Sequence, residues 1–260
     1  MRITFLLAFC FFKISSFASC SDSLYWTKKQ AQSFTLYYTA ADSSIISTIE
    51  KGLGIGSKTV MDFFHSPFKE KYEVYIFPNR NELDKQWSKD WGGPNFKSQC
   101  WMVASGVARR LDLLSTLCWK KDACEHNAAD SVEVQKIITH ELVHVFHAQH
   151  NPNPTFDGMD DLSWLIEGLA TYVSGQLNEG RINKIREQFK QEKIPLTLVS
   201  IWTGADKYGR AGSFTQFLSE KFGRKKLIKL LGFTDNASIL KFLNSDEPAL
   251  ISKWKEALLK

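Results

Sequence analysis

The sequence predicts an α+β fold, with an N-terminal mixed sheet and its helices followed by a mostly helical C-terminal part. Short apolar and aromatic runs of strand length fall at residues 34–39 and 73–77, in the first half of the chain. Longer segments with helical spacing dominate after residue 130. Strands that precede a run of helices are typical of α+β architectures. With 260 residues, 43% of them hydrophobic and 13% aromatic, the chain can bury one sizeable core.

The first 18 residues have the features of a signal peptide. Arg2 provides a short basic start, and residues 3–12 form an apolar run that is too short to span a bilayer. Ser16 and Ala18 place small residues at the two positions that a signal peptidase reads, so we expect cleavage at 18–20, most simply after Ala18. The four residues ending at Cys20 also resemble a weak lipobox, which makes a lipid anchor at Cys20 the alternative.

The mature chain, residues 19–260, is expected to be one exported domain, either periplasmic or secreted. We expect a sheet-bearing lobe at about 30–150 and a helical lobe at about 151–260, with no later apolar run long enough to cross a membrane. The formal net charge of +5 is too small to indicate a nucleic-acid partner or an acidic membrane surface. The sequence gives no indication of the oligomeric state.

Four of the five cysteines remain after removal of a signal peptide, at positions 20, 100, 118 and 124. In an oxidising compartment such residues form disulfides. Cys118 and Cys124 flank a short polar loop, and their closeness in sequence predicts that they pair. A zinc site built from these cysteines and His126 is the alternative, although the C-x-x-C spacing of such sites is missing.

The N-terminal half is predicted to alternate between strands and helices. After the strand at 34–39, apolar residues recur at helical spacing from residue 45 to residue 64. Within that segment, residues 52–59 resemble a phosphate-binding loop, but Ser57 stands where the second glycine is required and no strand leads directly into it. We therefore predict a helix loosened by glycines, or a break between two helices.

A second strand, a capped helix and a hairpin follow. The strand at 73–77 ends at Pro78, and Asn79 opens a helix that reaches about residue 89. Residues 100–104 and 107–115 predict a hairpin that turns at Ser105-Gly106. One of its strands is expected to lie along a cleft.

The C-terminal half is predicted to be helical. Asp130 with Glu133 opens a central helix that runs to about residue 149 and ends at the Asn-Pro-Asn-Pro sequence that follows. A second helix contains residues 164–172 and stops near residues 178–180. Further helices are predicted at 182–192, 208–222 and 225–231, with a last one from about residue 249.

The central helix contains a possible metal site within Thr-His-Glu-Leu-Val-His-Val-Phe-His, residues 139–147. His140 and His144 are four residues apart and therefore lie on one face of a helix, where they can bind one Zn²⁺ together. Glu141 then lies beside the metal and can accept a proton from a bound water. Because a hydrolytic zinc site typically has three protein ligands, a third ligand must come from elsewhere.

Two residues compete for the third ligand position. Glu167 lies on the next predicted helix, in an otherwise apolar stretch where a carboxylate needs a partner. His150 has the spacing of the third histidine of the extended metzincin motif, but His147 stands where that motif needs a helix-breaking glycine. His150 is also favoured at a helix end by the macrodipole. His147 faces nearly the same way as His140 and is either a neighbour of the site or an ordinary histidine.

The sequence His-Glu-Leu-Val-His-Val-Phe, followed by Trp-Leu-Ile-Glu-Gly-Leu-Ala-Thr-Tyr, resembles the gluzincin metallopeptidases, in particular the small bacterial peptidases of the MA-like type. The resemblance implies a zincin-like fold with the HExxH helix at the cleft, and it identifies His140, His144 and Glu167 as the zinc ligands. It also implies that a downstream tyrosine stabilises the oxyanion, for which Tyr208 is the candidate. Many gluzincins have an acidic residue where this chain has Thr171, which is a weaker hydrogen-bond partner for a zinc-bound imidazole.

The sequence therefore predicts an exported hydrolase that binds one Zn²⁺ and cleaves a peptide or protein substrate, with Glu141 as general base. No aminopeptidase element of the Gly-Ala-Met-Glu-Asn type is visible, which favours an endopeptidase. Two alternatives remain. One is a metzincin-like peptidase that uses His150, and the other is a catalytically inactive zincin-fold binding protein of the cell envelope.

Overall fold

The computed structural model describes residues 24–193, 195 and 197–260, apart from the side chains of residues 91 and 92. The predicted signal peptide and the possible lipid anchor at Cys20 lie outside these residues. Within them, no helix is both long enough and apolar enough to cross a bilayer.

Five strands form one mixed sheet near the N-terminus, as predicted. They are β1 (Thr27–Gln30), β2 (Phe34–Tyr38), β3 (Tyr72–Phe77), β4 (Ala104–Val107) and β5 (Arg110–Leu114). The order across the sheet is β1-β2-β3-β5-β4. The three inner strands are parallel, whereas β1 and β4 pair antiparallel at the two edges. Strand β1 escaped prediction because its four residues, Thr-Lys-Lys-Gln, are all exposed and polar.

Helices make up most of the rest of the described chain, which confirms the α+β prediction. They are α1 (Ile46–Phe64), α2 (Arg80–Trp87), α3 (Trp119–Asp122), α4 (Ser131–His150), α5 (Ser163–Val173), α6 (Glu179–Lys190), α7 (Leu198–Ile201), α8 (Lys207–Phe222), α9 (Arg224–Lys229), α10 (Asn236–Leu243) and α11 (Glu247–Leu259). Helices α3, α7 and α10 were not predicted, and the residues of α3 were expected to form a loop. Apolar side chains from the sheet, from α4 and α5 and from the C-terminal helices join in one buried cluster.

Helix α1 is continuous through its glycines, so the alternative of a break between two helices is wrong. A Cβ added at Gly56 would lie 2.7 Å from Leu142 Cδ1, and one at Gly52 would lie 3.0 Å from Ile138 Cδ1. Both partners belong to α4. The glycines therefore let α1 pack closely against the helix that carries the histidine motif.

The β4–β5 hairpin forms, but it turns at Ala108-Arg109 and not at Ser105-Gly106. Ala108 has a φ of 45°, in the left-handed region that such turns use. Gly106 lies instead within β4, where a Cβ would be 2.2 Å from the carbonyl oxygen of Glu141. The glycine is thus needed for the contact of this strand with α4 and not for a turn.

The predicted disulfide between Cys118 and Cys124 is wrong, because Cys124 pairs with Cys100, at a Cα–Cα distance of 5.3 Å. The chain between Cys118 and Cys124 is mostly helical, and six residues of helix rise about 9 Å, beyond the reach of a disulfide. Cys118 is a free thiol that donates to the carbonyl oxygen of Pro78 at 2.8 Å.

Helix α5 ends at Val173, earlier than the predicted stop near residues 178–180. Gly175 has a φ of 73° and turns the chain away from the helix. The Asn178 side chain then accepts from the backbone N–H of Arg181 at 3.0 Å and begins α6. The asparagine therefore starts a helix instead of ending one.

Candidate metal centre and cleft

Helix α4 positions the histidine motif in the interior of the protein. The Asp130 side chain caps the helix by accepting from the backbone N–H groups of Val132 and Glu133, at 2.9 and 3.0 Å. Residues 137–148 of the helix are all buried, and the Nε2 atoms of His140 and His144 lie 3.1 Å apart. This distance confirms the prediction that the two histidines lie on one face of the helix.

Helix α5 brings Glu167 to the two histidines. Its Oε2 atom lies 3.3 Å from Nε2 of His140 and 3.6 Å from Nε2 of His144. The neighbouring Gly168 permits this placement, because a Cβ there would lie 2.6 Å from the backbone oxygen of Ala211 on α8. At the start of α5, the Trp164 indole N–H donates to Asn236 Oδ1 at 2.9 Å and anchors the helix.

The donor set and its spacing fit a zinc ion. Two imidazole nitrogens and one carboxylate oxygen converge at separations of 3.1 to 3.6 Å. Tetrahedral Zn²⁺ with bonds of 2.0–2.1 Å would hold its ligand atoms about 3.3 Å apart. The Nδ1 atoms of His140 and His144 are buried and have no hydrogen-bond partner in the described part of the chain. Their Nε2 atoms face each other and the Glu167 carboxylate, an arrangement that a cation would stabilise.

Glu141 is buried beside these three residues, and its surroundings affect its acidity in opposite directions. Burial raises the pKa of the carboxyl, and the negative charge of Glu167 raises it further. The imidazoles of His140 and His144 and a hydrogen bond from the Gly106 backbone lower the pKa by less, so that it stays above its ordinary value. A carboxylate with a raised pKa is a more effective proton acceptor at neutral pH.

The pKa of Glu167 moves the other way. Burial would raise it, but the charge of His144 and hydrogen bonds from His140 and His144 lower it well below the usual range. Burial alone would lower the pKa of the His144 imidazole. The negative charge of Glu167 more than offsets this effect, so the pKa of His144 is raised. The three groups therefore favour an ionised Glu167, which is the form that binds a metal.

The motif residues form the floor of a cleft of about 790 Å³. We call residues 103–106, on and before the edge strand β4, the β wall. We call the part of the lining that helices and their ends provide the helical wall, which is formed by Ile166, Arg181, Trp202, Lys207 and Tyr208. The cleft has the size of a typical ligand site, and the predicted hairpin strand does lie along it.

Tyr208, the candidate for stabilising the oxyanion, lies on the helical wall next to the histidines. Its ring centroid is 6.1 Å from that of His140 and packs edge-on against Trp202 at 4.7 Å. Burial raises the pKa of the phenol, and the charges of Glu167 and Glu141 add to the increase. The hydroxyl therefore stays protonated and can donate a hydrogen bond into the cleft.

The other two histidines of α4 are not brought to the cluster. The ring of His150 stacks on Phe146 at 4.1 Å, and its Nδ1 lies 2.8 Å from the Phe146 carbonyl oxygen. His147 is fully buried against Phe156 at 4.9 Å. Burial, with a smaller effect of His144, lowers the pKa of His147 to about 3 and keeps the ring neutral. The metzincin-like arrangement thus finds no support in the position of His150.

Thr171 does not orient an imidazole. Its hydroxyl is buried, and the described residues offer it no hydrogen-bond partner. Its Cγ2 methyl would lie 2.8 Å from a Cβ added at Gly212, which shows how closely the side chain packs against α8. The residue at this position therefore contributes to packing between α5 and α8.

The sequence did not identify the two cationic residues of the helical wall, Arg181 and Lys207, as part of the site. Arg181 lies in the first turn of α6, and Lys207 is the first residue of α8. Each looks in sequence like a solvated residue near a helix end, and no local pattern distinguishes it. Only the packing of α6 against α8 brings the two cations to one cleft.

No family model matches the chain, and no curated protein matches it either. Among solved structures, it is similar to an M1 zinc metallopeptidase from Deinococcus radiodurans, at 15% identity and a TM-score of 0.49, over 90% of this chain and 50% of that one. A mutant of that M1 zinc metallopeptidase gives 14% identity and a TM-score of 0.49, over 90% and 51%. A mutant bound to a Tyr-Ser-Ala substrate gives 15% and 0.47, over 90% and 52%. The chain spans about half the length of these structures.

Proposed function

We propose that the chain is an exported zinc metallopeptidase of the gluzincin type, in which His140, His144 and Glu167 bind one Zn²⁺. One observation carries the proposal: two imidazole nitrogens and a carboxylate oxygen converge within 3.6 Å on the floor of an open cleft. The residue between the histidines, Glu141, is buried against the same cluster. A third ligand from the following helix, in place of a third histidine on α4, is the gluzincin arrangement that the sequence resembles.

The chemistry divides among the residues of the floor and the helical wall. When bound, Zn²⁺ supplies a Lewis acid that polarises the substrate carbonyl and lowers the pKa of water. Glu141 accepts a proton from the attacking water and passes it to the leaving amine, a role that its raised pKa supports. Tyr208 donates its hydroxyl proton in a hydrogen bond to the oxyanion of the tetrahedral intermediate.

The β wall suits an extended peptide. Strand β4 pairs with β5 on one side and, in the part of the chain that the structure describes, pairs with no strand on its other side. An extended peptide can bind along such an edge through main-chain hydrogen bonds, without a requirement for particular side chains. This supports a peptide or protein substrate and endopeptidase activity.

The cysteine pairing supports export. The Cys100–Cys124 disulfide is stable in the periplasm or outside the cell and is rare in the cytosol. We therefore propose that the mature chain, residues 19–260, acts as a single domain after removal of residues 1–18, with a lipid anchor at Cys20 as the alternative form.

Zinc content and casein hydrolysis, measured together on the purified mature chain, test this function. We expect one Zn²⁺ per chain and activity that a chelator abolishes. Glu141→Gln should keep the zinc and lose activity by about 10²- to 10⁴-fold. Glu167→Ala should lose the zinc, whereas the matched variant His150→Ala should keep it.

Three results would contradict parts of this proposal. Parental activity in Glu141→Gln would exclude the mechanism. Zinc loss in His150→Ala, with zinc retained in Glu167→Ala, would favour the metzincin-like alternative. Zinc binding without chelator-sensitive proteolysis would favour the inactive envelope binding protein.

A further inference from the structure

Arg181 is a cation without an ionic partner on the wall of the cleft. Its Nη1 atom is buried and has no hydrogen-bond partner among the described residues, and the guanidinium makes no ion pair with any described carboxylate. The guanidinium remains charged at any physiological pH. A half-buried guanidinium without an ion pair can bind an anion, and Arg181 lies on the lining of the cleft.

The surroundings of Arg181 do not neutralise it. Its Cζ lies 5.8 Å from the ring centroid of Tyr208, a contact with a neutral group. Asp206 is the carboxylate whose charge acts on Arg181. This carboxylate already accepts from Gln188 Nε2 at 2.6 Å and faces Lys184 Nζ at 3.9 Å. Glu125 lines the same region of the cleft and makes no ion pair with Arg181.

Lys207 is a second cation of this kind on the same wall. Its Nζ lies over the Trp202 ring at 4.4 Å and 5.6 Å from the rings of Trp101 and Tyr208. These aromatic contacts position the ammonium group without neutralising it. As with Arg181, the described carboxylates include none at ion-pair distance from it. The helical wall therefore presents two positive charges near the Tyr208 ring, and the described residues form no ion pair with either of them.

We propose that Arg181, assisted by Lys207, binds a carboxylate of the peptide substrate. The inference rests on the proposed peptidase function and names the substrate class: peptides with a carboxylate close to the bond that is cut. The Tyr208 ring is 6.1 Å from the His140 ring and 5.8 Å from Arg181 Cζ, so the two groups are at most about 12 Å apart. An extended peptide spans about 3.3–3.6 Å per residue, so a carboxylate within about four residues of the reacting carbonyl can reach Arg181.

Two sources can supply this carboxylate. The C-terminal carboxylate of a short peptide would make the enzyme a carboxypeptidase, in place of the endopeptidase expected from sequence. The side chain of Asp or Glu would make it an endopeptidase selective for acidic segments. The guanidinium fork suits either one, because it donates two parallel hydrogen bonds to a carboxylate.

Three peptides of one sequence test the proposal on the zinc-loaded mature chain. The first is neutral with an amidated C-terminus, the second has a free C-terminal carboxylate, and the third is amidated but has Glu in place of Gln, scanned over four positions on each side of the cut. The values of kcat and KM are measured for the parent, Arg181→Gln, Arg181→Lys and the control Lys190→Gln. Lys190 is an exposed residue of the same helix, outside the cleft.

The parent should cleave the second or the third peptide about ten- to a hundredfold better than the neutral one. Arg181→Gln should lose this preference through a higher KM, and Arg181→Lys should keep part of it because the charge remains. Lys190→Gln should behave like the parent. Preference for the second peptide identifies a terminal carboxylate, and preference for the third identifies a side chain.

Other outcomes overturn the proposal. If the parent cleaves all three peptides equally, the carboxylate site is wrong and the peptidase function stands. If Arg181→Gln slows all three equally, Arg181 only positions Tyr208. If the parent cleaves none, the proposed peptidase function fails; calorimetric binding of the same peptides to Glu141→Gln then decides the carboxylate site, and equal affinity for all three would exclude it.

Discussion

The two walls of the cleft are built from different parts of the chain. The β wall contacts α4 through its backbone at Gly106 and presents main-chain groups to the cleft. The helical wall presents charged and aromatic side chains, among them Arg181, Lys207 and Tyr208. Main-chain groups can hold any extended peptide, whereas side chains discriminate between peptides. Under the proposed function, affinity would come from the β wall and selectivity from the helical wall.

Gly106→Ala should disturb this arrangement most. The added Cβ would lie 2.2 Å from the Glu141 carbonyl oxygen, and no side-chain rotation relieves a clash between two backbones. We expect the free energy of unfolding to fall by about 3 kcal/mol or more, with loss of peptidase activity. Urea unfolding measures the first and casein hydrolysis the second.

Gly54→Ala is the matched control. A Cβ at Gly54 meets nothing within 4 Å, and alanine in the interior of α1 should stabilise the protein by roughly 0.5–1 kcal/mol. A Gly106→Ala variant that unfolds at the parental urea concentration would show that β4 does not depend on this close approach.

A smaller effect is expected from Asp112, which supports the β wall from behind. Asp112 on β5 faces Ser105 of β4 in the sheet and accepts hydrogen bonds from Trp87 Nε1 at 3.0 Å and Arg110 Nε at 2.7 Å. Burial raises the pKa of its carboxyl from 3.8 to about 6, although Arg110 lowers it in part. A carboxyl whose pKa is raised by folding stabilises the fold below pH 4, and this contribution is lost as the pH rises through 6.

The difference between the ordinary pKa of 3.8 and the raised pKa of about 6 corresponds to about 3 kcal/mol of free energy. We therefore expect the free energy of unfolding of the parent, relative to Asp112→Asn, to fall by about that amount between pH 4 and pH 7.5. Urea titrations at a series of pH values measure the difference. Asp62→Asn, on the exposed part of α1, provides the same charge change in solvent. A parent-to-variant difference that stays constant with pH would contradict the burial of an ionisable Asp112.

A substitution at Tyr208 on the helical wall should change the reaction rate and not the free energy of unfolding. Tyr208→Phe removes the hydroxyl that we assign to the oxyanion and keeps the aromatic contacts with Trp202 and His140. We expect kcat to fall by about a hundredfold with little change in urea midpoint. Tyr25→Phe, at a side chain that is 90% exposed, is the control. A Tyr208→Phe enzyme within twofold of the parent in kcat would remove Tyr208 from the mechanism.

The parts of the molecule that sequence predicted are the ones that local rules determine. Asp130 begins α4 through a local cap, and the four-residue spacing of His140 and His144 has meaning on any helix. Glu167 could be identified because a carboxylate in an apolar helix needs a partner. The remaining features depend on distant contacts. Nothing near Gly106 in sequence indicates that it will lie against Glu141.

The composition of the helical wall also depends on contacts between residues that are distant in sequence. Arg181 and Lys207 come from different helices, and neither position differs in sequence from an ordinary solvated cation. The cysteine pairing failed for a related reason, since closeness in sequence is a poor guide when the intervening residues form a helix. Tertiary packing decides all of these features.

The Cys100–Cys124 bond encloses the whole β4–β5 hairpin, and with it the β wall, in a covalent loop with a sequence separation of 24. Its main effect is on the unfolded chain, whose conformational entropy it reduces by an amount worth about 3 kcal/mol. Reduction would therefore widen the unfolded ensemble while leaving the contacts of the native cleft in place. The edge that we expect to hold the substrate is thus stabilised by a bond that acts mostly when the protein is not folded.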